Sequence, residues 1–472
     1  MTMTAQRSAT GRSQPGWLPL IAICLGYFLV ILDVTVVNVA LPAIGSGLGT
    51  GVTVLQWVVD GYTLAFAGLL LFCGGLSDRS GGKRVFLTGL AVFTLASVGC
   101  GLAPSAIALV GARLVQGTGA AMMVPASLAL LRHAYPDRQA RARAFGAWGM
   151  VAGIAAAAGP VLGGVVVSLA GWRWVFLINL PFGVLGYLLT ARHVPAPAAA
   201  GTAGIKRGPG PESGGKRGRG LDGPAQLAGL AGLTGLTGAL IEAGLRGWGS
   251  PVVLGGFALA TLGLGGFVLA ERHSRAPMVP LELFRTGRFG ASAAVGLLLN
   301  LGFYGMLFLI PLYFERSHQF SPAMTGLAML PLAVMPMMAS PLGGRTAARY
   351  GPYLPMAAGL AVGAVGLAGW LLAGPSVSYW IVLAPLLLTG AGTGFAMPAA
   401  TAAIMEAAPA ERGGAASGVF NAARQTGSAI GVALTGSLVA HSLTAGLHVA
   451  AVVGALAFLA GATISILTRW IT

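Results

Sequence analysis

The sequence predicts an all-α integral membrane protein of about fourteen spanning helices, and three observations carry that expectation. Charged residues make up only 8% of the chain, the hydrophobic share is 56%, and mean hydropathy is +0.81. Apolar windows of about twenty residues, the length that crosses a bilayer core, recur from one end to the other. With the N-terminus placed inside, 23 of the 28 Lys and Arg fall in cytoplasmic segments. That asymmetry is the signature of membrane topology, and it places both termini in the cytoplasm. It also accounts for the net charge of +16 without a nucleic-acid partner.

The expected spans, in order, are 17–44, 52–76, 84–103, 105–131, 143–170, 174–193, 224–245, 251–271, 289–314, 322–343, 353–373, 377–402, 413–440 and 447–468. The first begins like a signal peptide, with Arg7 and Arg12 ahead of an apolar run from Trp17. No small-residue cleavage site follows and the run continues through Asp33 to Ile44, so an uncleaved helix is expected. Between spans six and seven, residues 194–223 carry Pro-Ala, Gly-Pro and Lys-Arg-Gly-Arg runs and read as a flexible basic cytoplasmic linker.

The chain also repeats itself. Gly117, Gly119 and Pro125 recur as Gly390, Gly392 and Pro398 at a constant offset of 273 residues. Arg138 recurs as Arg412 and Gly153 as Gly427 at an offset of 274. Gly75-Leu76-Ser77-Asp78-Arg79 has a worn copy in Gly344-Arg345-Thr346-Ala347-Ala348-Arg349. The expected organisation is therefore an N-terminal six-helix bundle (1–193), the linker (194–223), two inserted helices (224–271) and a parallel C-terminal bundle (289–472). Parallel halves with a site between them are a transporter architecture.

Two charges stand out because each lies inside an apolar stretch: Asp33 in the first span and Arg113 in the fourth. A lone charge in hydrocarbon costs about 2.5–3.5 kcal/mol even on lenient scales, so such charges pair or face a wet cavity. At 1.5 Å per residue, Asp33 lies roughly 23 Å along its helix, Asp60 about 18 Å and Arg113 about 20 Å above the inner face. All three thus share one level. A carboxyl group that loses water takes a proton, and one that meets a cation releases it. Relative movement of Asp33, Asp60 and Arg113 would couple protons to conformation. A fixed structural ion pair, and an Asp60 that faces the outer vestibule, stay open as alternatives.

Enzymatic chemistry finds no support. The six histidines are scattered, no His-Glu-x-x-His or Gly-x-Ser-x-Gly occurs, and Gly117-Thr118-Gly119 lacks a Walker lysine. Cys24, Cys73 and Cys100 have no metal spacing and an odd count, so they read as packing residues. No cofactor or metal is expected, and an ion gradient must supply the energy.

Local motifs sharpen the expectation. Gly74-Gly75-Leu76-Ser77-Asp78-Arg79-Ser80-Gly81-Gly82-Lys83-Arg84 forms a tight cytoplasmic turn, in which Asp78 can accept bonds at a helix N-terminus while Lys83 and Arg84 anchor the next helix. This turn resembles the loop between helices 2 and 3 of the major facilitator superfamily. Leu32-Asp33-Val34-Thr35-Val36-Val37-Asn38-Val39-Ala40-Leu41-Pro42 resembles the helix 1 signature of its fourteen-helix drug:proton antiporter branch. Arg113 to Gly119 with Pro125, Gly153 with Gly159-Pro160 and Gly163-Gly164, and Trp172-Arg173-Trp174 to Asn179 and Pro181 are similar to its helix 4, 5 and 6 motifs. Antibiotic exporters of the methylenomycin-resistance type are the nearest match within it.

The resemblance implies a major facilitator fold and proton-driven efflux of hydrophobic drug-like compounds across the cytoplasmic membrane; a carrier of a natural metabolite is the alternative. Asp33 and Asp60 would titrate and Arg113 would tune them. Asn38, Gln116, Met122, Asn300, Tyr304 and Met397 are expected around the substrate. Gly75, Asp78, Arg79, Lys83, Arg84, Gly153, Gly159, Pro160 and Gly163 are expected to gate access. Expected partners are a hydrophobic small molecule, protons and the lipid bilayer, with the carrier acting as a monomer. No acid lies mid-membrane in the C-terminal half, which favours neutral or weakly charged amphiphiles over cations. Methionines crowd 324–338 (Met324, Met329, Met335, Met337, Met338), where thioethers suit an adaptable apolar wall or ordinary packing.

Overall fold

The computed structural model describes residues 17–135, 137–195, 223–274, 277, 279, 281–409, 412–439 and 442–470. Most of the expected basic linker therefore lies outside the described residues. Those described fold as helices without a strand. In chain order these are α1 (Trp17–Leu48), α2 (Val52–Ser80), α3 (Gly82–Gly101), α4 (Ala106–Ala134), α5 (Arg138–Ala170), α6 (Trp174–Leu177) and α7 (Asn179–His193). There follow α8 (Gly223–Arg246), α9 (Pro251–His273), α10 (Gly287–Ser317), α11 (Pro322–Ala328), α12 (Leu330–Tyr350), α13 (Tyr353–Gly369), α14 (Tyr379–Glu406), α15 (Gly413–Leu438) and α16 (Leu443–Thr468).

By length and composition alone, thirteen helical segments among the described residues can cross a membrane, with α6–α7 and α11–α12 each counted as one. The fourteenth span, α15, carries Asn421, Arg424 and Gln425 and packs against α10, α2 and α8. Both broken spans have a proline as their cause. Pro181 cannot donate to the Leu177 carbonyl, and Pro331 cannot donate to that of Leu327, so each helix restarts one residue after its break.

The expected loop over 74–84 shrinks to a single residue. Gly75, Asp78 and Arg79 belong to the last turns of α2, and Gly81 alone makes the turn, with φ +89°. Only glycine takes that conformation without strain. Asp78 accordingly does not cap α3, which starts without a side-chain cap. Lys83 donates instead to the Ala191 carbonyl (2.8 Å) in the last turn of α7, where a cation meets the negative end of the helix dipole.

Gly351, φ +78°, makes the matching turn between α12 and α13, there lengthened by one residue, Pro352. The internal repeat is thus three-dimensional, and its register here is one residue off the sequence match: Gly74, not Gly75, corresponds to Gly344. Gly74 faces Pro125 as Gly344 faces Pro398. Gly117 lies on the Tyr62 carbonyl and Gly119 on Gly89 and Phe93; Gly390 lies on the Leu332 carbonyl and Gly392 on Gly359 and Gly363. Small residues at these crossings let backbones touch.

The inserted helices α8 and α9 pack on each other through Gly232 against Gly263 and Gly235 against Gly256. Helix α8 docks the pair on the bundle: Gln226 donates to the Gly68 carbonyl of α2, and Gly244 sits on Ser437 of α15.

The end of the bundle holding Lys83, Arg84 and Arg132 is called the basic end below. Away from it, α5 is closed on its neighbours. Gly159 lies on Thr35 and Gly163 on Val36, both of α1; Gly164 lies on the Pro322 carbonyl of α11; and Gly326 lies on the Pro160 carbonyl. Ser168 accepts a bond from the Ala323 amide (3.0 Å). Near the basic end, Gly146 and Gly149 have no such neighbour. A Cβ on Gly164 would fall 2.3 Å from the Pro322 oxygen, so Gly164→Leu is expected to prevent this closure. Spin labels at positions 168 and 323 should then move apart by several ångströms in a double electron–electron resonance measurement; an unchanged distance would disprove the closure assignment.

Candidate functional site

Asp33 of α1 and Arg113 of α4 meet as a fully buried ion pair. Burial of two charges is tolerable only when every remaining donor and acceptor finds a partner, and here nearly all do. Gln116, one turn along α4 from Arg113, accepts from the guanidinium (2.7 Å) and donates to the other Asp33 oxygen (2.8 Å). Asn179, the first residue of α7, donates to that same oxygen (3.1 Å), and Ser97 of α3 accepts from both amides. Arg113 Nε donates to the Val58 carbonyl of α2 (3.0 Å), and its guanidinium lies over the Tyr62 ring, 4.3 Å from the centroid. Five helices therefore converge on one carboxylate and one cation. The Pro181 break matters here, because it sets Asn179 at the start of α7 facing Asp33.

Asp33 does not face the central cavity. Ile31 and Thr35, two residues to either side, line it. Residues two apart on a helix point in nearly opposite directions. Helix α1 is thus a partition, with the ion pair behind it and the cavity in front. The cavity measures about 760 Å³ and lies between α5 on one side and α10, α12, α14 and α15 on the other. Its walls are mostly apolar: Phe145, Met150, Phe303, Leu307, Leu332 and Met337. Asn300, Tyr304, Ser340, Thr393 and Arg424 supply the polar groups. It reaches Phe145 and Pro341 towards the basic end, the side on which α5 is unclosed.

The family profile of the Major Facilitator Superfamily matches residues 23–432 and, in a second match, 378–471. The chain belongs to the Major Facilitator Superfamily. It is a multipass membrane protein of a transporter family. It is 36% identical to a methylenomycin A resistance protein of Streptomyces coelicolor, over 95% of this chain and 91% of that one. It is 38% identical to the multidrug resistance protein Stp of Mycobacterium tuberculosis, over 91% of this chain and 77% of Stp. A tetracenomycin C resistance and export protein of Streptomyces glaucescens is 34% identical, over 92% and 78%. Among solved structures, a bacterial homologue of the human lysosomal transporter Spinster, described as inward-facing and unoccupied, superposes with a TM-score of 0.65. It covers 96% of this chain and 97% of its own at 18% identity, which shows the superfamily fold.

Within this superfamily framework the expected site residues divide. Asn300, Tyr304 and Met397 line the cavity. Asn38, Gln116 and Met122 do not: Asn38 donates to the Val34 carbonyl of its own helix (2.6 Å), Gln116 belongs to the ion pair, and Met122 packs against Gly89 between α3 and α4. Asp60 is fully buried rather than facing a vestibule, and neither carboxyl oxygen has a hydrogen-bond partner. Gly153 and Pro160 line the cavity, whereas Gly159 and Gly163 form the contact with α1. Asp78 lines a separate cleft of about 350 Å³ with Arg132 of α4 and Ser417, Gly418 and Asn421 of α15. Ser97, Asn179, Thr35 and Arg424 had no expected role at either site; Thr35 and Asn179 carried a signal only as members of the helix 1 and helix 6 motifs.

Removal of one member of a buried pair strands the other, which costs about 3–5 kcal/mol. Arg113→Met is therefore expected to lower the melting temperature of the purified protein sharply, while Arg113→Met with Asp33→Asn recovers most of the loss. Equal melting temperatures of single and double variants would show that the pair is not coupled.

Proposed function

We propose that the protein is a proton-driven exporter of hydrophobic, drug-like compounds across the cytoplasmic membrane, acting as a monomer with both termini inside. The observation that carries this reading is the partition formed by α1, with a titratable ion pair on one face and the cavity on the other. The names of the relatives, resistance and export proteins for methylenomycin A, tetracenomycin C and multiple drugs, support the substrate class.

The chemistry follows from the cluster. Ionised Asp33 accepts from Arg113, Gln116 and Asn179, and so ties α1 to α4 and α7. A proton on Asp33 removes the charge that holds the guanidinium and converts one acceptor oxygen into a donor. That weakens all three links, and α1 becomes free to shift against α4. Thr35 and Val36, seated in the glycine face of α5, carry the shift to the wall that seals the far end of the cavity. In this scheme Asp60 is the second proton carrier. An unpaired buried carboxylate is costly, and a proton removes the charge and leaves only the smaller cost of an unpartnered polar group. Gly153, Gly159, Pro160 and Gly163 let α5 pivot, and the Asp78 cleft with Gly75, Arg79, Lys83 and Arg84 governs the basic end.

Efflux of a panel of hydrophobic antibiotics and dyes from proteoliposomes under an imposed pH gradient tests the scheme. Wild type should export at least one compound. Asp33→Asn should lose gradient-driven export while still binding it, and Asp60→Asn should slow it. Export that ignores both the gradient and Asp33→Asn would leave the ion pair as scaffolding.

A further inference from the structure

The ion pair and the glycine face of α5 leave one charged group unexplained. Arg424 of α15 lines the cavity, and it is the one charged side chain among the described residues that do so. No carboxylate of the described residues pairs with it; Asp33, Glu242 and Glu282 engage Arg113, Arg246 and Arg412. Its Nε is buried without an acceptor, and Nη1 reaches only the Asn421 amide oxygen at 3.4 Å. Its stem packs against Gly296 of α10, and its guanidinium lies 5.9 Å from the centroid of the Phe420 ring. The side chain is thus held by packing, with much of its hydrogen-bonding capacity unused.

The internal repeat makes this position stand out. At the offset that relates Gly153 to Gly427, Arg424 corresponds to Met150, which lines the cavity from α5. The ion pair has no such copy, because Arg113 corresponds to the fully buried Leu386 at the offset that relates Gly117 to Gly390. One wall of the cavity therefore presents a thioether where the opposite wall presents a fixed cation.

We infer that the cavity selects amphiphiles carrying a single carboxylate on an apolar body. The carboxylate would take Arg424, whose planar fork of donors matches it in geometry as well as charge. Tyr304, on the same side of the cavity, offers a hydroxyl donor. The apolar body would lie against Met150, Leu332 and Met337. A cation would meet repulsion with no acid to offset it, a neutral ligand would cover the guanidinium without neutralising it, and a dianion would bring a second charge with no partner. This inference rests on the cavity being the substrate site proposed above and narrows the substrate to one charge class.

The test uses the purified full-length chain and a matched pair, 1-naphthaleneacetic acid and its primary amide, compared at pH 7 by equilibrium dialysis. The acid should bind at least about tenfold more tightly than the amide, the range expected for a charge-assisted pair. In Arg424→Gln the acid should bind no better than the amide, and Arg424→Lys should restore part of the preference. Restoration separates loss of charge from loss of fold. Equal binding of acid and amide to the wild type, no binding of the acid, or a preference that survives Arg424→Gln overturns the inference. The same compounds in proteoliposomes separate it from the function proposed above. An acid that binds preferentially but is not moved by a proton gradient leaves the inference standing and removes the efflux reading. Export of both compounds without preference does the reverse.

Discussion

Burial of one carboxylate and one guanidinium in a bundle surrounded by lipid is the constraint on which the rest of the structure depends. An unpaired charge there is costly, and a pair is tolerable only when its remaining donors and acceptors are satisfied. The Asp33–Arg113 pair meets that demand by recruiting Gln116 from α4 itself, and Asn179, Ser97 and the Val58 carbonyl from α7, α3 and α2. The polar cluster thereby fixes the rotation of α1. The other face of α1 is a cavity wall, so the cluster and the cavity share one helix.

The second physical theme is contact without side chains. Where α1, α5 and α11 cross, glycines meet backbone carbonyls, and the same arrangement recurs where α2, α3 and α4, or α12, α13 and α14, cross. Such interfaces hold by close van der Waals approach with a small residue on at least one side. They suit surfaces that separate and re-form. The α5–α11 contact is closed in this conformation, and the basic-end half of α5 is open, so the molecule shows one of the two states an alternating-access cycle requires.

The two halves share a scaffold and differ in chemistry. Glycine crossings and tight turns at the positive-φ glycines Gly81 and Gly351 recur in both. The ion pair occurs in the first, while in the second buried Leu386 and Thr389 stand at the positions of Arg113 and Gln116, and the cavity cation occurs in the second. The duplicated bundles thus place the buried ion pair and the cavity cation on different faces of the fold, without direct contact between them.

Composition, the basic asymmetry and the internal repeat were enough to determine the membrane class, the number of spans and the parallel duplication, because bilayer thickness and backbone hydrogen bonding leave few alternatives. Depth along each helix was legible too, which is why Asp33 and Arg113 could be paired in advance. Rotation about each helix axis was not. In hydrophobic spans nearly every face is apolar, so the sequence carries no amphipathic signal to say which residues look inward. For that reason Asn38, Gln116 and Met122 were expected in the cavity, Thr35 and Arg424 were not, and the place of Asn179 behind α1 went unread. Only the packing of backbone against glycine decided which face of α1 meets the ion pair and which meets the cavity.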